Sequence, residues 1–458
     1  MISSQTAISA VRFGYGLRPG ETAPDDPAGV ENALRQATKG APGFPVEGIE
    51  ARRQHAIDYF SERSAISKAY EGEARMAEMK KLRQSAAKAF QADQIARIAQ
   101  AAASPYGFDE RLASFWTDHF SVSFRKTDDM RLMTPLYEAE AIRPNMTSTF
   151  GALLTEATLH PAMITYLDQF RSVGPHSVRA ERNKKLGLNE NHGRELLELH
   201  TVGAGSGYTQ TDVRQASYLL TGLTLDRPDA KTVFDAKRAE PGTFTILGKT
   251  YGGDTRQISD VDDFLNDLAV RPETARYIST KLASYFIDED APEDVVAAME
   301  ETWKRTDGDL AAVYATMLEA PQAFTLAPCN VKQPFDYVVS CLRALNVDGR
   351  ALTTDDKRGR GVNYTLNTLG QPVWDPPSPE GFEAGRASWV NGHQLAGRIV
   401  AARRLINWFA DKEQEPQAFA EQALGPLLSD NTRTLVKRAP NRVSAMTLVL
   451  ASPEFNLR

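Results

Sequence analysis

The most informative run of the chain is 189–203, NENHGRELLELHTVG, because it puts an imidazole three residues before one carboxylate and six before another. Set on a helix at about 100° per residue, Asn191, His192, Glu195 and Glu198 share one face, and Leu196, Leu197 and His200 lie toward the other. Two carboxylates and an imidazole so placed can trade a proton with a substrate or hold a cation. The same spacing has a plainer reading. Glu190, Arg194 and Glu198 stand at i, i+4 and i+8, an ordinary surface salt-bridge ladder, and Asn189 can cap the helix. Helix bundles that bind metals between carboxylates and imidazoles use the order Glu then His and a second copy of it, and the sequence holds no second copy.

A second run, 110–123, ERLASFWTDHFSVS, puts Leu112, Phe115, Trp116 and Phe120 on one stripe of a helix, with His119 near its centre. A histidine that points into a core must find hydrogen-bond partners, since an unsatisfied polar group there costs about 1–3 kcal/mol. A satisfied core histidine is one reading. The other has its partner on the 189–200 helix, facing a cavity with Arg194 or Glu195 at the wall. A metal in such a site would take His and carboxylate ligands, because neither run contains cysteine.

The elements that must carry these residues are helices. Between Ile49 and Ala103 there is one glycine, Gly72, and no proline, which predicts a long helix or a helical hairpin broken near Gly72, an arm spanning 49–105. Its apolar positions allow an arm packed on the body or one that holds a partner. Helix-like segments follow at 108–122, 147–158, 189–202, 210–222, 259–269, 272–287, 292–305, 333–345, 393–410 and 440–451. Thr209 and Asp212 suit a capping box. Strand character is confined to 231–256, where alternation around Pro241-Gly242 predicts one β-hairpin. The proline-rich stretch 370–388 reads as an ordered loop. The fold class is therefore all-α, a single large helical domain with a β-hairpin excursion.

Composition narrows the function. The 53 basic and 59 acidic residues give a net charge of -6, without the basic excess of a nucleic-acid binder. Cys329 and Cys341 are too few for a disulfide framework and read as small core residues. No apolar run reaches the roughly 18 residues a membrane span needs. As written the chain reads as cytoplasmic, with an export signal removed ahead of it as the alternative. Gly203, Gly205 and Gly207 imitate a dinucleotide loop but follow a helix, not a strand. Gly248-Lys249-Thr250 lacks the opening glycine of a phosphate loop, and no zinc-protease, nucleophile-elbow, paired-cysteine or calcium motif is present.

Four segments, RLASFWTDHFSVS, HPAMITYLDQFRS, NENHGRELLELHTVGAGSGYTQTDV and ASPEFNL, resemble, in order, the bacterial family known as domain of unknown function 1800. The resemblance carries that family's recurring positions onto Trp116, His119, Asp168, Asn189, Glu190, Asn191, Arg194, Glu195, Glu198, His200 and Gly203. Later landmarks fall on Lys332, Gly381, Trp389 and Arg398. It implies no activity and no cofactor, but family members are often encoded beside sulfatase-like or alkaline-phosphatase-like proteins, which implies such a partner. Many members carry a His and a Lys just before the Leu-Gly pair near the hairpin. Here residues 238–244 read Arg-Ala-Glu-Pro-Gly-Thr-Phe, which implies an altered or lost activity if those residues serve a site.

Two functional readings follow. One is an enzyme using His119, Asn191, Arg194, Glu195 and Glu198 for acid–base or metal-assisted chemistry, with Trp116, Asp168, Asn189, Glu190, His192 and His200 around them. The other is a helical scaffold that binds a partner. Inward-facing charge favours the first, since burying charge is costly.

Overall fold

A computed structural model describes residues 2–105, 107–325 and 327–458. Helix accounts for 62% of the chain, in keeping with its apolar stripes at helical spacing. Among the described residues, besides a small third cluster at Ala7, Ala10, Leu17 and Ala23, the helices pack around two large apolar cores. One gathers Leu112, Trp116, Phe120, Leu196, Leu219, Ile278 and Trp303. The other gathers Phe90, Ile98, Phe335, Val338, Leu342, Leu405 and Val449.

Helix α1 (Ile49–Ala69) and helix α2 (Gly72–Ala103) form an antiparallel pair. The chain turns through extended Tyr70 and Glu71. Gly72 follows at φ +54°, a backbone that costs glycine nothing. Residues 61–81 are mostly exposed, whereas Leu82, Ala86, Phe90, Ile95, Ile98 and Ala102 of α2 are buried. The expectation of an arm therefore needs dividing. Only its outer half stands off the body, because the apolar residues from Leu82 onward recur at helical spacing and draw the rest of α2 into both cores. Buried Arg52 bonds Asp93 and Glu47, fixing the base of the pair.

Helix α3 (Phe108–His119) carries the aromatic stripe. Helix α4 (Asn191–Glu195) runs on into a π-turn, Leu196–His200. Helix α5 (Gln210–Leu220) begins with the Thr209–Asp212 capping box. The β region differs from expectation. Strands β1 (Leu223–Asp226) and β2 (Lys231–Phe234) form one antiparallel hairpin, and β3 (Gly242–Ile246) and β4 (Lys249–Gly253) form another. Pro241-Gly242 leads into β3, and the second reversal lies at Leu247-Gly248, where φ is +48° and +83°. Two short alternating runs back to back had looked like one long hairpin. Helix α6 (Pro272–Phe286), helix α7 (Pro334–Ala344) and helix α8 (Gly392–Phe409) complete the elements that matter below. Among the described residues no helix is long and apolar enough to cross a membrane.

Candidate active site

A cavity of ≈ 360 Å³ lies where α3, α6, residues 330–333 and the loop 377–386 meet. Its lining includes Phe115, Asp118 and His119 from α3, Tyr277, Lys281 and Tyr285 from α6, and Glu380 to Arg386 from the loop. The loop is held from below. Ser121 Oγ reaches the carbonyls of Ser378 and Pro379 at 3.1 and 2.9 Å. The Phe382 amide donates to Asp118 Oδ1 at 2.9 Å. Gly381 has φ +91°, and a Cβ there would sit 2.7 Å from both the carbonyl and a carboxylate oxygen of Asp118. Only glycine lets the loop approach so closely. Trp389 Nε1 holds the far side by donating to the Glu383 carbonyl at 2.6 Å.

His119 is buried, and its two ring nitrogens have distinct partners. Nε2 lies 3.1 Å from the His200 carbonyl oxygen. A carbonyl only accepts, so Nε2 carries the proton and Nδ1 presents a lone pair. Lys281 Nζ lies 3.2 Å from Nδ1 and donates to it. That is the only side-chain hydrogen bond of Lys281 among the described residues, and no carboxylate among them is within ion-pair distance of its amine. Burial lowers the Lys281 pKa, with Asp118 and Glu380 opposing at longer range. Burial, then the Lys281 charge and His200, hold His119 well below the ordinary histidine value. Burial also pushes Asp118 up to about 7, against the Phe382 amide and Lys281. The site thus presents a neutral imidazole, an amine with a weakened hold on its proton, and a carboxyl that titrates near neutrality.

The 189–200 segment contributes differently from expectation. At about 100° per residue His192 falls about 60° from Glu195 and about 120° from Glu198, near Leu196 and His200, and burial divides the face between them. His192, Leu196, Leu197 and His200 turn inward, and Asn191, Arg194, Glu195 and Glu198 stay partly exposed. His192 therefore parts from the two glutamates. Neither of its ring nitrogens has a hydrogen-bond partner among the described residues, and burial lowers its pKa to about 4. His200 faces His119 with its carbonyl, while burial, His192 and Lys281 lower its ring to about 3. Neither Arg194 nor Glu195 lines the cavity. Arg194 bonds Gln210 at 3.0 Å, and Glu190 meets Arg214 at 3.0 Å and Arg194 at 3.6 Å, so one rung of the expected ladder forms, while among the described residues no ion pair joins Arg194 to Glu198. Asn189 Oδ1 accepts from the Asn191 amide, and Asn191 Nδ2 reaches the Leu167 carbonyl at 3.5 Å. Glu195 is raised by burial, Glu198 and Glu380, and Tyr208 bonds Glu198.

Trp116 lies fully buried, its Nε1 donating to Tyr314 Oη at 2.6 Å. Asp168 adopts φ 58° and pairs with Lys126 at 2.6 Å. Gly203, at φ +85°, packs so closely that a Cβ would meet the Tyr277 ring at 2.5 Å, which seats that ring in the cavity wall. The later landmarks Lys332 and Arg398 are buried together: Lys332 Nζ donates to the Phe455 carbonyl at 2.7 Å, and Arg398 to the Lys332 carbonyl at 2.6 Å.

Sequence reasoning missed Lys281, Asp118, Tyr277 and Glu380. A signal for the α6 residues existed. Tyr277, Lys281 and Tyr285 recur at i, i+4 and i+8, a lysine between two aromatics on one helix face. Among the described residues no three His, Cys, Asp or Glu side chains form a group able to hold a metal ion.

A family model described as protein of unknown function (DUF1800) matches residues 9–457. Neither a curated protein nor a solved structure matches the chain.

Proposed function

The chain belongs to that family of unknown function, and from this premise we propose that it is an enzyme whose acid–base chemistry runs in the cavity between α3 and α6. One observation carries the reading: the amine of Lys281, deep in a cavity, bonds the lone pair of a neutral imidazole and has no carboxylate beside it. Holding a charged amine inside a cavity without a counter-charge is costly. An amine beside a base has a use, because His119 Nδ1 can take a proton from it or from a bound molecule. The backbone bond to His200 keeps the imidazole in the tautomer whose Nδ1 lone pair faces Lys281. Asp118, titrating near 7, is placed to return a proton.

The test is turnover. Wild-type protein and His119→Ala would be incubated in D2O with a broad metabolite mixture, followed by mass spectrometry for deuterium uptake or product. A change that needs His119 is expected. Identical spectra from both proteins would remove the enzyme reading.

The accessory-protein reading draws support from the exposed end of the α1–α2 pair, where Tyr70 and Met76 are 44% and 66% exposed. It would place a partner there, of the sulfatase-like kind the family resemblance implies. Replacing residues 61–81 with a short turn would abolish that binding and leave the cavity chemistry intact.

A further inference from the structure

We infer that Lys281 is a nucleophile that forms an imine with a small aldehyde or keto-acid substrate in the ≈ 360 Å³ cavity. The inference rests on the enzyme reading above and specifies its substrate class. Three features of the geometry point to it. The lysine projects half-buried from α6 into the cavity. Its one hydrogen bond goes to an acceptor that can take a second proton. The Tyr277 ring, 5.5 Å from Nζ and 6.4 Å from the His119 ring, walls the amine beside His119 without supplying a fixed charge. Arg52, Arg97 and Arg111, by contrast, each face a carboxylate. The weakened proton affinity of the amine is consistent with this placement.

The chemistry closes within the residues present. The neutral amine attacks the carbonyl carbon, an N–C bond forms, and the π pair moves to oxygen. Asp118 in its acid form protonates that oxygen, and His119 Nδ1 takes a proton from nitrogen, giving the carbinolamine. The nitrogen lone pair then expels the oxygen, which leaves as water with the proton His119 held. A protonated imine remains, with the Asp118 carboxylate as its counter-charge. Atoms and charge balance, and no outside oxidant or reductant is needed.

The probe is glyoxylate with cyanoborohydride on the full-length protein at pH 7, read by peptide mass mapping. Lys281 is expected to be alkylated faster than exposed lysines, since a lowered pKa raises the free-amine fraction. Lys281→Met should stay folded by thermal melting and lose the fast adduct. Labelling of Lys281 no faster than Lys68 or Lys437 overturns the inference. If that happens while His119-dependent turnover persists, the enzyme reading survives without the imine. A fast adduct without His119-dependent turnover keeps the reactive amine and removes the enzyme reading.

Discussion

Buried charge is handled in two opposite ways within one molecule. Beside α2, Glu138 is wholly buried between Arg97 at 2.6 Å and Arg143 at 2.9 Å, and it also accepts from Trp374 Nε1 at 2.6 Å. Arg143 in turn holds Glu110 at 2.7 Å. Burial alone would raise Glu138, but the two arginines outweigh it and hold the carboxyl below the usual range. On the other side of Arg97, which acts on Asp118 at longer range, Asp118 and Lys281 are half-buried and His119 is buried, and among the described residues none of the three has an ion-pair partner. There burial wins, and each group moves toward its neutral form. The first cluster is what a helical fold does to keep charge for structure, and the second is what it does to keep groups ready to change protonation.

The comparison can be broken most severely at the paired cluster. Glu138→Gln leaves Arg97 and Arg143 sharing a buried site without their carboxylate. It should cost about 3–5 kcal/mol in denaturant unfolding at pH 7. A loss under ~1 kcal/mol would mean the cluster is not structural in this sense.

The next largest effect falls on the loop over Asp118. Gly381→Ala places a Cβ 2.7 Å from Asp118 at a positive φ. It should cost about 1–3 kcal/mol and slow reductive labelling of Lys281, because the cavity wall must shift. Unchanged stability and unchanged labelling together would show that the loop tolerates displacement.

Smaller, and of opposite signs, are the pH effects. His192 and His200 are lowered to about 4 and about 3. The unfolded chain therefore binds protons that the folded one refuses. Their contribution is complete above the ordinary histidine value of about 6.5 and is lost as pH falls toward 4 and 3. Asp118 works the other way. Raised to about 7, it binds its proton more tightly when folded, so it opposes folding increasingly as pH rises from about 4 to 7. His192→Leu should flatten the acid limb of a stability–pH curve, and Asp118→Asn should stabilise more at pH 8 than at pH 5. An acid limb unchanged in His192→Leu would show that His192 is not the group responsible.

The smallest expected change sharpens the contrast. Lys281→Met removes an amine that has no counter-charge, so stability should stay within about 1 kcal/mol of wild type, while the fast adduct disappears. A loss as large as that of Glu138→Gln would place Lys281 with the structural charges.

The helices, the break at Gly72 and the inward direction of His119 were legible because apolar periodicity records them locally. So was the ordered character of 370–388, since four prolines stiffen it. One partner of His119 was expected on the 189–200 run, where the His200 carbonyl accepts from it; the other was not legible. Lys281 lies 162 residues away, and a lysine on an amphipathic helix is assigned to solvent unless tertiary packing covers it. The π-turn was hidden for a related reason: Leu196, Leu197 and His200 suit a regular helix equally well, and only packing against α3 selects the wider turn. Gly381 read as a loop glycine, and its seat on Asp118 exists only once two distant segments meet.

Helix α2 has a consequence for how the chain is made. Its residues from Phe90 to Ala102 pack with α7, α8 and the helices beyond, hundreds of positions later. Until those segments leave the ribosome, that face has nothing to cover it, and closing so long a loop is slow. The second core therefore cannot form stepwise behind the first during synthesis. A nascent chain halted before Pro334 should be cut by protease within 82–102, and one released in full should be resistant there.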